Sequence, residues 1–89
     1  MVTAKVTIKN PTGLHMRPAQ LFVQGLTPFC CDITIAAGGK RANAKSILSV
    51  MTACFKQGTE LEIICEGAEE EQALARAVEL IDSGLGETV

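Results

Sequence analysis

A histidine and an arginine lie two residues apart in the stretch 10–20, and His15 is the only histidine in the chain. Pro18 follows Arg17, and apolar residues at helical spacing follow Pro18, which indicates a helix start. A helix start carries unpaired backbone N–H groups that favour anions. A neutral imidazole is a nucleophile, and a guanidinium pairs with phosphate oxygens. His15 and Arg17 are therefore candidates for a site where the imidazole accepts a phosphoryl group, although a lone histidine at a turn is also explained by capping or by solvation.

A second candidate is Ser46, which precedes Ile47, Val50 and Met51 at helical spacing. Its hydroxyl is suited to cap that helix, and this alone is sufficient reason for a serine there. A phosphate on Ser46 is the functional alternative, because it adds up to two negative charges beside an interaction surface. Ile47, Leu48 and Met51 form an apolar group on the same helix, which serves either as core alone or as core plus a docking patch for partners.

The first half of the chain alternates between strand and helix signals. Apolar residues alternate with polar ones over residues 2–8, which predicts a strand with one buried face. Asn10-Pro11-Thr12-Gly13 ends that strand, and the following helix runs from Pro18 to Thr27-Pro28. Residues 31–35 and 40–44 predict two further strands, and Gly38-Gly39 between them predicts a hairpin turn.

The second half continues the pattern. The helix after Ser46 includes Cys54 and ends at Lys56-Gln57-Gly58, and a strand follows over residues 60–66. The last helix is predicted to hold Glu69, Glu70 and Glu71 in its first turn and to stop at Gly84, and the tail 85–89 reads as loose. This order predicts one α+β domain over residues 1–89, an open-faced β-sandwich whose four-stranded, mainly antiparallel sheet has three helices on one face (βαββαβα).

Composition narrows the function classes. The net charge is −2 and basic residues are scattered, which argues against nucleic acid as a partner. No apolar stretch reaches about 18 residues, and the first ten residues alternate in polarity where a signal peptide would be continuously apolar. We therefore expect a cytoplasmic monomer that does not insert into membranes and needs no cofactor.

The four cysteines lack the spacing of a metal site. Cys30 and Cys31 are adjacent, no C-x-x-C occurs, and His15 is far from Cys54 and Cys65 in sequence. We expect reduced thiols that act mostly as small buried hydrophobic residues, and no bound metal. A redox function of Cys30-Cys31 is the alternative.

Two motifs and a third segment resemble one known family. GLHMRPA at 13–19 resembles the active-site signature of HPr, the histidine-containing phosphocarrier family of the bacterial phosphoenolpyruvate-dependent sugar phosphotransferase system. NAKSILSVM at 43–51 is similar to the regulatory-serine segment of that family, in the form found in Firmicutes, and KQGTELEI at 56–63 is similar to the run into its fourth strand. The resemblance spans nearly the whole chain and has the same order of elements.

The resemblance implies a carrier and not a catalyst in the ordinary sense. His15 would accept phosphate on Nδ1 from phospho-enzyme I and pass it to EIIA domains of sugar permeases, with Arg17 stabilising the phosphate. Ser46 would be phosphorylated by the HPr kinase/phosphorylase, and that form would act with the catabolite control protein in carbon catabolite repression. The residues expected to bind partners are Met16, Ile47, Leu48 and Met51.

The chain also departs from the family pattern. Met16 stands where a small residue is usual, Ser49 and Cys54 replace usual glycines, and Phe55 is bulky for its position. The alternatives that remain are a purely regulatory HPr-like paralogue, a nitrogen-branch phosphocarrier, a domain specialised for one sugar, and an unrelated binding or redox domain. The regulatory branch typically lacks the active histidine, whereas His15 is present here.

Overall fold

The computed structural model describes residues 1–11 and 13–85, which form four strands and three helices in the predicted order. These elements are β1 (Val2–Thr7), α1 (Met16–Leu26), β2 (Asp32–Ala37), β3 (Lys40–Asn43), α2 (Ile47–Ala53), β4 (Glu60–Glu66) and α3 (Glu70–Asp82).

The strands form one sheet in the order β1-β4-β2-β3, and each neighbouring pair of these described strands is antiparallel. Ile63 of β4 lies opposite Ala4 on one side and Ile35 on the other. β1 and β3 are the sheet edges, and β3 reaches its place through the predicted two-glycine hairpin. The α+β open-faced fold predicted from the sequence is confirmed.

The core lies between one face of the sheet and the helices. Alternate strand residues such as Ile35, Leu61 and Ile63 are fully buried, because the period-two pattern turns them all toward one face. Phe22 of α1 is also fully buried and is the largest of the fully buried side chains among the described residues. α1 packs against α3 at Gly25, where an added Cβ would lie 2.7 Å from a methyl carbon of Leu80.

Three helix boundaries differ from the sequence expectation. α1 begins at Met16 and not at Pro18, with His15 as its N-cap, and Pro18 occupies the third helical position, where a missing N–H still costs nothing. Glu69 lies outside α3 as its N-cap in a left-handed conformation, so Glu70 and Glu71 are the acidic residues of the first turn. Cys54 ends α2 as a left-handed C-cap and is not helical.

The expectation that the tail 85–89 is loose was wrong for Leu85, which is buried in the core. The other residues of that tail, 86–89, lie outside the described residues.

All four cysteines are free thiols, but only two behave as expected. Cys31 and Cys65 are buried in the core, and burial raises the pKa of the Cys65 thiol to about 11. Cys30 and Cys54 are exposed, so the expectation of mostly buried thiols holds for half of them. Because Cys30 is exposed and its neighbour Cys31 is buried, the pair presents no shared accessible site. Across residues 1–11 and 13–85, no cluster of three metal-ligating side chains occurs.

No described helix is long and apolar enough to cross a membrane.

The segment between β1 and α1 is fastened to the segment between α2 and β4. The Ile8 N–H donates to the Thr59 carbonyl (2.9 Å), and the Leu14 N–H donates to the Phe55 carbonyl (2.9 Å). The buried Asn10 side chain donates from Nδ2 to the Gly13 carbonyl (2.6 Å). Gly13 has a φ of +66°, and an added Cβ would lie 2.4 Å from the Phe55 carbonyl oxygen. Only glycine fits this approach without displacing backbone.

We predict that Gly13→Ala lowers the free energy of unfolding by about 3 kcal/mol, because it adds a backbone clash to the strain of a left-handed alanine. Urea denaturation measures this. Gly38→Ala is the matched control, since Gly38 has a φ of +56° but nothing within 4 Å of an added Cβ, and it should cost only about 1 kcal/mol. Equal losses in the two variants would contradict the close approach as the cause.

Candidate functional site

His15 is the N-cap residue of α1, and its side chain is exposed. Its backbone carbonyl accepts a hydrogen bond from the Ala19 N–H (2.8 Å), but the imidazole makes no capping hydrogen bond to the helix. The side chain is therefore not the helix cap that the simpler interpretation supposed. It remains accessible to a partner in solution.

The start of α1 offers donors and a cation to an anion. Met16 and Arg17 occupy the first two helical positions, where backbone N–H groups have no partner within the helix, and Pro18 after them has no N–H. No acidic residue lies in this first turn, and the Arg17 side chain is exposed. Helix polarity and charge therefore both favour an anion beside His15.

A shallow cavity of about 250 Å³ lies at His15, and its walls come from two distant parts of the chain. Leu14 and His15 form one side, and Cys54, Phe55 and Lys56 form the other. Arg17 is not among these lining residues, so the structure places it at the same helix start as His15 but outside this cavity. Lys56 lines the cavity at His15, and sequence reasoning did not place it there because its segment indicated only the end of a helix.

Ser46 is the N-cap of α2, as predicted. Its Oγ accepts a hydrogen bond from the Ser49 N–H (3.2 Å), and its carbonyl accepts one from the Val50 N–H (3.1 Å). The Ser49 hydroxyl in turn accepts from the Asn43 N–H (2.9 Å), which joins the helix start to the end of β3. Ser46 is half-buried, so its hydroxyl has a structural role and still borders solvent.

The expected partner-binding residues divide into two groups. Met16 and Leu48 are 64% and 75% exposed, which is unusual for large apolar side chains. Ile47 and Met51 are half-buried and pack against the core. The core interpretation therefore describes Ile47 and Met51 better, and the docking interpretation describes Met16 and Leu48 better. We call the two exposed residues, Met16 and Leu48, the docking face.

α2 separates the two candidate sites. Ser46 lies at its first end, and Cys54, directly after its last residue, lines the cavity at His15. A helix of 7 residues is about 10 Å long. The structure thus brings His15 and Arg17 to one helix start and places Ser46 at the opposite end of α2.

Comparison with known proteins identifies the family of this chain. The family model described as "PTS HPr component phosphorylation site" matches residues 2–83. The chain belongs to the HPr family. HPr is the phosphocarrier of the phosphotransferase system.

Similar proteins of the HPr family cover most of this chain. The HPr-like protein Crh of Bacillus subtilis is 42% identical over 76 residues, which are 85% of this chain and 89% of Crh. The phosphocarrier protein HPr of Lysinibacillus sphaericus is 41% identical and covers 98% of this chain and 100% of its own length. The crystal structure of HPr-C-His from Thermoanaerobacter tengcongensis superposes with a TM-score of 0.94 at 42% identity, covering 100% of both chains.

The departures from the HPr pattern have distinct places in this structure. Ser49 makes the hydrogen bond to Asn43 that a glycine would lack, and Phe55 is buried in the core. Met16 is exposed beside His15. Cys54 is exposed, has a φ of +55°, and directs its thiol to the Met51 carbonyl (3.3 Å). Cys54 therefore has a left-handed backbone conformation that favours glycine.

We predict that Cys54→Gly raises the free energy of unfolding by about 0.5 to 1 kcal/mol, because glycine relieves the left-handed strain at the end of α2. The expected rise in Tm is about 4 °C. Cys54→Ala is the control, since it removes the thiol but keeps the Cβ. A Cys54→Gly variant no more stable than Cys54→Ala would show that the strain is not relieved at this position.

Proposed function

We propose that this HPr-family chain carries phosphoryl groups on His15 between phospho-enzyme I and the EIIA domains of sugar permeases. The observation that carries the proposal is the exposed His15 at the first end of α1, beside Arg17 and two unpaired backbone N–H groups. The chain is a stoichiometric intermediate in this role and not an enzyme. We place it in the cytoplasm and expect it to act as a monomer.

Phosphoryl transfer requires an unprotonated nitrogen on the His15 imidazole, because that nitrogen is the nucleophile. Nδ1 of His15 attacks the phosphorus of the donor phosphohistidine in enzyme I, so that a new P–N bond forms while the donor P–N bond breaks. The donor imidazole leaves with the electron pair of the broken bond, and the proton on Nε2 of His15 stays in place. Arg17 and the first N–H groups of α1 stabilise the charge on the transferred oxygens.

Docking positions this reaction. Met16 lies next to His15 in the chain and exposes most of its side chain, and Leu48 adds a second exposed apolar contact. A partner that covers the docking face removes apolar area from water and closes the space around the imidazole. The bulky Met16 should set how closely a partner approaches His15.

Incubation with enzyme I and phosphoenolpyruvate should give an acid-labile, base-stable phosphate on the wild-type chain and none on His15→Ala. Arg17→Gln should keep the labelled site but slow transfer roughly ten- to hundredfold, because one charged donor to the phosphate is lost. Quench-flow labelling measures both. Lys5→Gln on β1 removes a positive charge from an exposed strand residue and serves as the control. No label with a cognate enzyme I, or a label that persists in His15→Ala, would overturn the carrier assignment.

We also propose that Ser46 is phosphorylated by the HPr kinase/phosphorylase, and that the product acts with the catabolite control protein. The Ser46 Oγ attacks the γ-phosphorus of ATP, the bond to ADP breaks, and the hydroxyl proton passes to a base on the kinase. The hydroxyls of Ser46 and Ser49 each accept a hydrogen bond from one backbone N–H group, so the choice of Ser46 rests on the resemblance of its segment to the regulatory-serine segment and not on hydrogen bonding. The added charge should weaken docking to an acidic surface of enzyme I.

The kinase and ATP should give an acid-stable phosphate on the wild-type chain and none on Ser46→Asn. Asparagine retains a capping oxygen for the start of α2, whereas Ser46→Ala should also lose about 1 kcal/mol of stability. Mass spectrometry locates the label, and thermal denaturation compares the variants. A phosphate that survives in Ser46→Asn would assign the modification to another hydroxyl.

A purely regulatory paralogue is the second candidate, favoured by the 42% identity to the protein named Crh. Its signature would be a Ser46 label with the kinase but no His15 label with enzyme I. If His15 is labelled, the EIIA domains that accept the phosphate distinguish a general sugar carrier from a nitrogen-branch or single-sugar carrier.

A further inference from the structure

A groove of about 540 Å³ runs between β3 and α2, and Ser46 opens onto it. Lys40 and Arg41 of β3 form one wall, and Ser46, Ser49 and Thr52 are on the α2 side. The groove therefore combines cations with hydroxyl groups. It shares no lining residue with the cavity at His15, which lies at the end of α2 opposite Ser46.

Three basic residues are near Ser46, either as neighbours in sequence or as lining residues of the same groove. Two of them already donate hydrogen bonds to backbone carbonyls. Lys45 donates from Nζ to the carbonyl of Phe29. Lys40 donates from Nζ to the carbonyl of Ala53 (3.4 Å), at the far end of α2 from Ser46. Both ammonium groups are thereby already bound to backbone carbonyls.

Arg41 is the basic residue of this group that is still available. Within residues 1–11 and 13–85, its guanidinium takes part in no ion pair or hydrogen bond. Asp32 and Glu66 share an adjacent cavity with it, and Glu62 shares another, but none of these carboxylates pairs with it. Arg41 is exposed on the edge strand, so its side chain can turn toward Ser46 without breaking another contact.

We propose that Arg41 binds the phosphate of phosphorylated Ser46 within the same molecule. The inference rests on the proposed phosphorylation of Ser46. A phosphoserine supplies about two negative charges and three acceptor oxygens, and a guanidinium donates to such oxygens in a bidentate pair. The short turn between β3 and α2 already holds the two residues near each other, so little chain entropy is lost when they pair.

The pair holds the phosphate over the groove and against the sheet edge. Leu48 lines the same groove and is 75% exposed, so the phosphate lies at the border of the docking face. A partner that binds phosphoserine then finds the phosphate in a fixed position. A partner that binds the apolar docking face has a negative charge at the edge of its binding surface.

The test uses the full-length chain with phosphoserine placed at position 46 by genetic code expansion, so that no kinase is required. A ³¹P NMR titration measures the second pKa of the phosphate, which is about 6 in an unperturbed phosphoserine. We expect it to be about 0.5 to 1 unit lower in the wild-type chain than in Arg41→Gln, because a nearby cation favours the dianion. Lys40→Gln is the matched control, since it removes the same charge from the same strand and groove while its ammonium contacts Ala53.

An Arg41→Gln titration that coincides with the wild-type curve overturns the proposal, and so does a shift that is lost in Lys40→Gln but kept in Arg41→Gln. The unphosphorylated Arg41→Gln chain should have the same Tm as the wild-type chain. Lys40→Gln loses the hydrogen bond to Ala53, so its Tm should be lower by about 4 °C, with the fold intact. Failure of the kinase to label Ser46 would overturn the proposed regulation without changing the outcome of this titration, so the two failures are distinguishable.

Discussion

The hydrogen bond from the Leu14 N–H to the Phe55 carbonyl fixes the candidate site, because it fastens the start of α1 to the segment after α2. Gly13 makes this contact possible, since any side chain there would meet the Phe55 carbonyl. His15 is the next residue after Leu14, so its position relative to Cys54 and Lys56 follows from that backbone contact. The imidazole itself makes no capping hydrogen bond to the helix. The backbone therefore positions His15, and the ring nitrogens are not used in capping.

Local patterns predicted the elements because the sheet has one buried face. The alternation in β4 gave its bounds without error, since Leu61, Ile63 and Cys65 all point into the core. Local patterns failed where backbone conformation, and not hydrophobicity, ends an element. Glu69 reads as a good first-turn residue but has a φ of +61°, and Cys54 continues a helical spacing but has a φ of +55°. Neither cysteine nor glutamate predicts a left-handed conformation, whereas glycine does.

The candidate site was predictable in its chemistry and not in its surroundings. His15, Arg17 and Ser46 could be identified as candidates because helix starts are recognisable from sequence. The unpaired N–H groups of a helix start attract anions or donate to a capping side chain. The position of Lys56 beside His15 depends on a contact between segments that are distant in the chain. The engagement of Lys40, in contrast to Arg41, depends on its contact with the Ala53 carbonyl across the groove. Such facts require the fold, because no local spacing relates these residues.

The distance between the two candidate phosphates constrains how one could affect the other. Two unit charges that are as far apart as α2 is long, about 10 Å, interact in water by ~0.4 kcal/mol. Screening over a Debye length of about 8 Å reduces the repulsion between two dianions to roughly 0.5 kcal/mol, a twofold effect on an equilibrium. Direct repulsion is therefore too weak to make the sites exclusive. We propose that a phosphate on Ser46 would act on docking instead, because Leu48 lines the same groove and a partner that covers the phosphate would have to remove water from it.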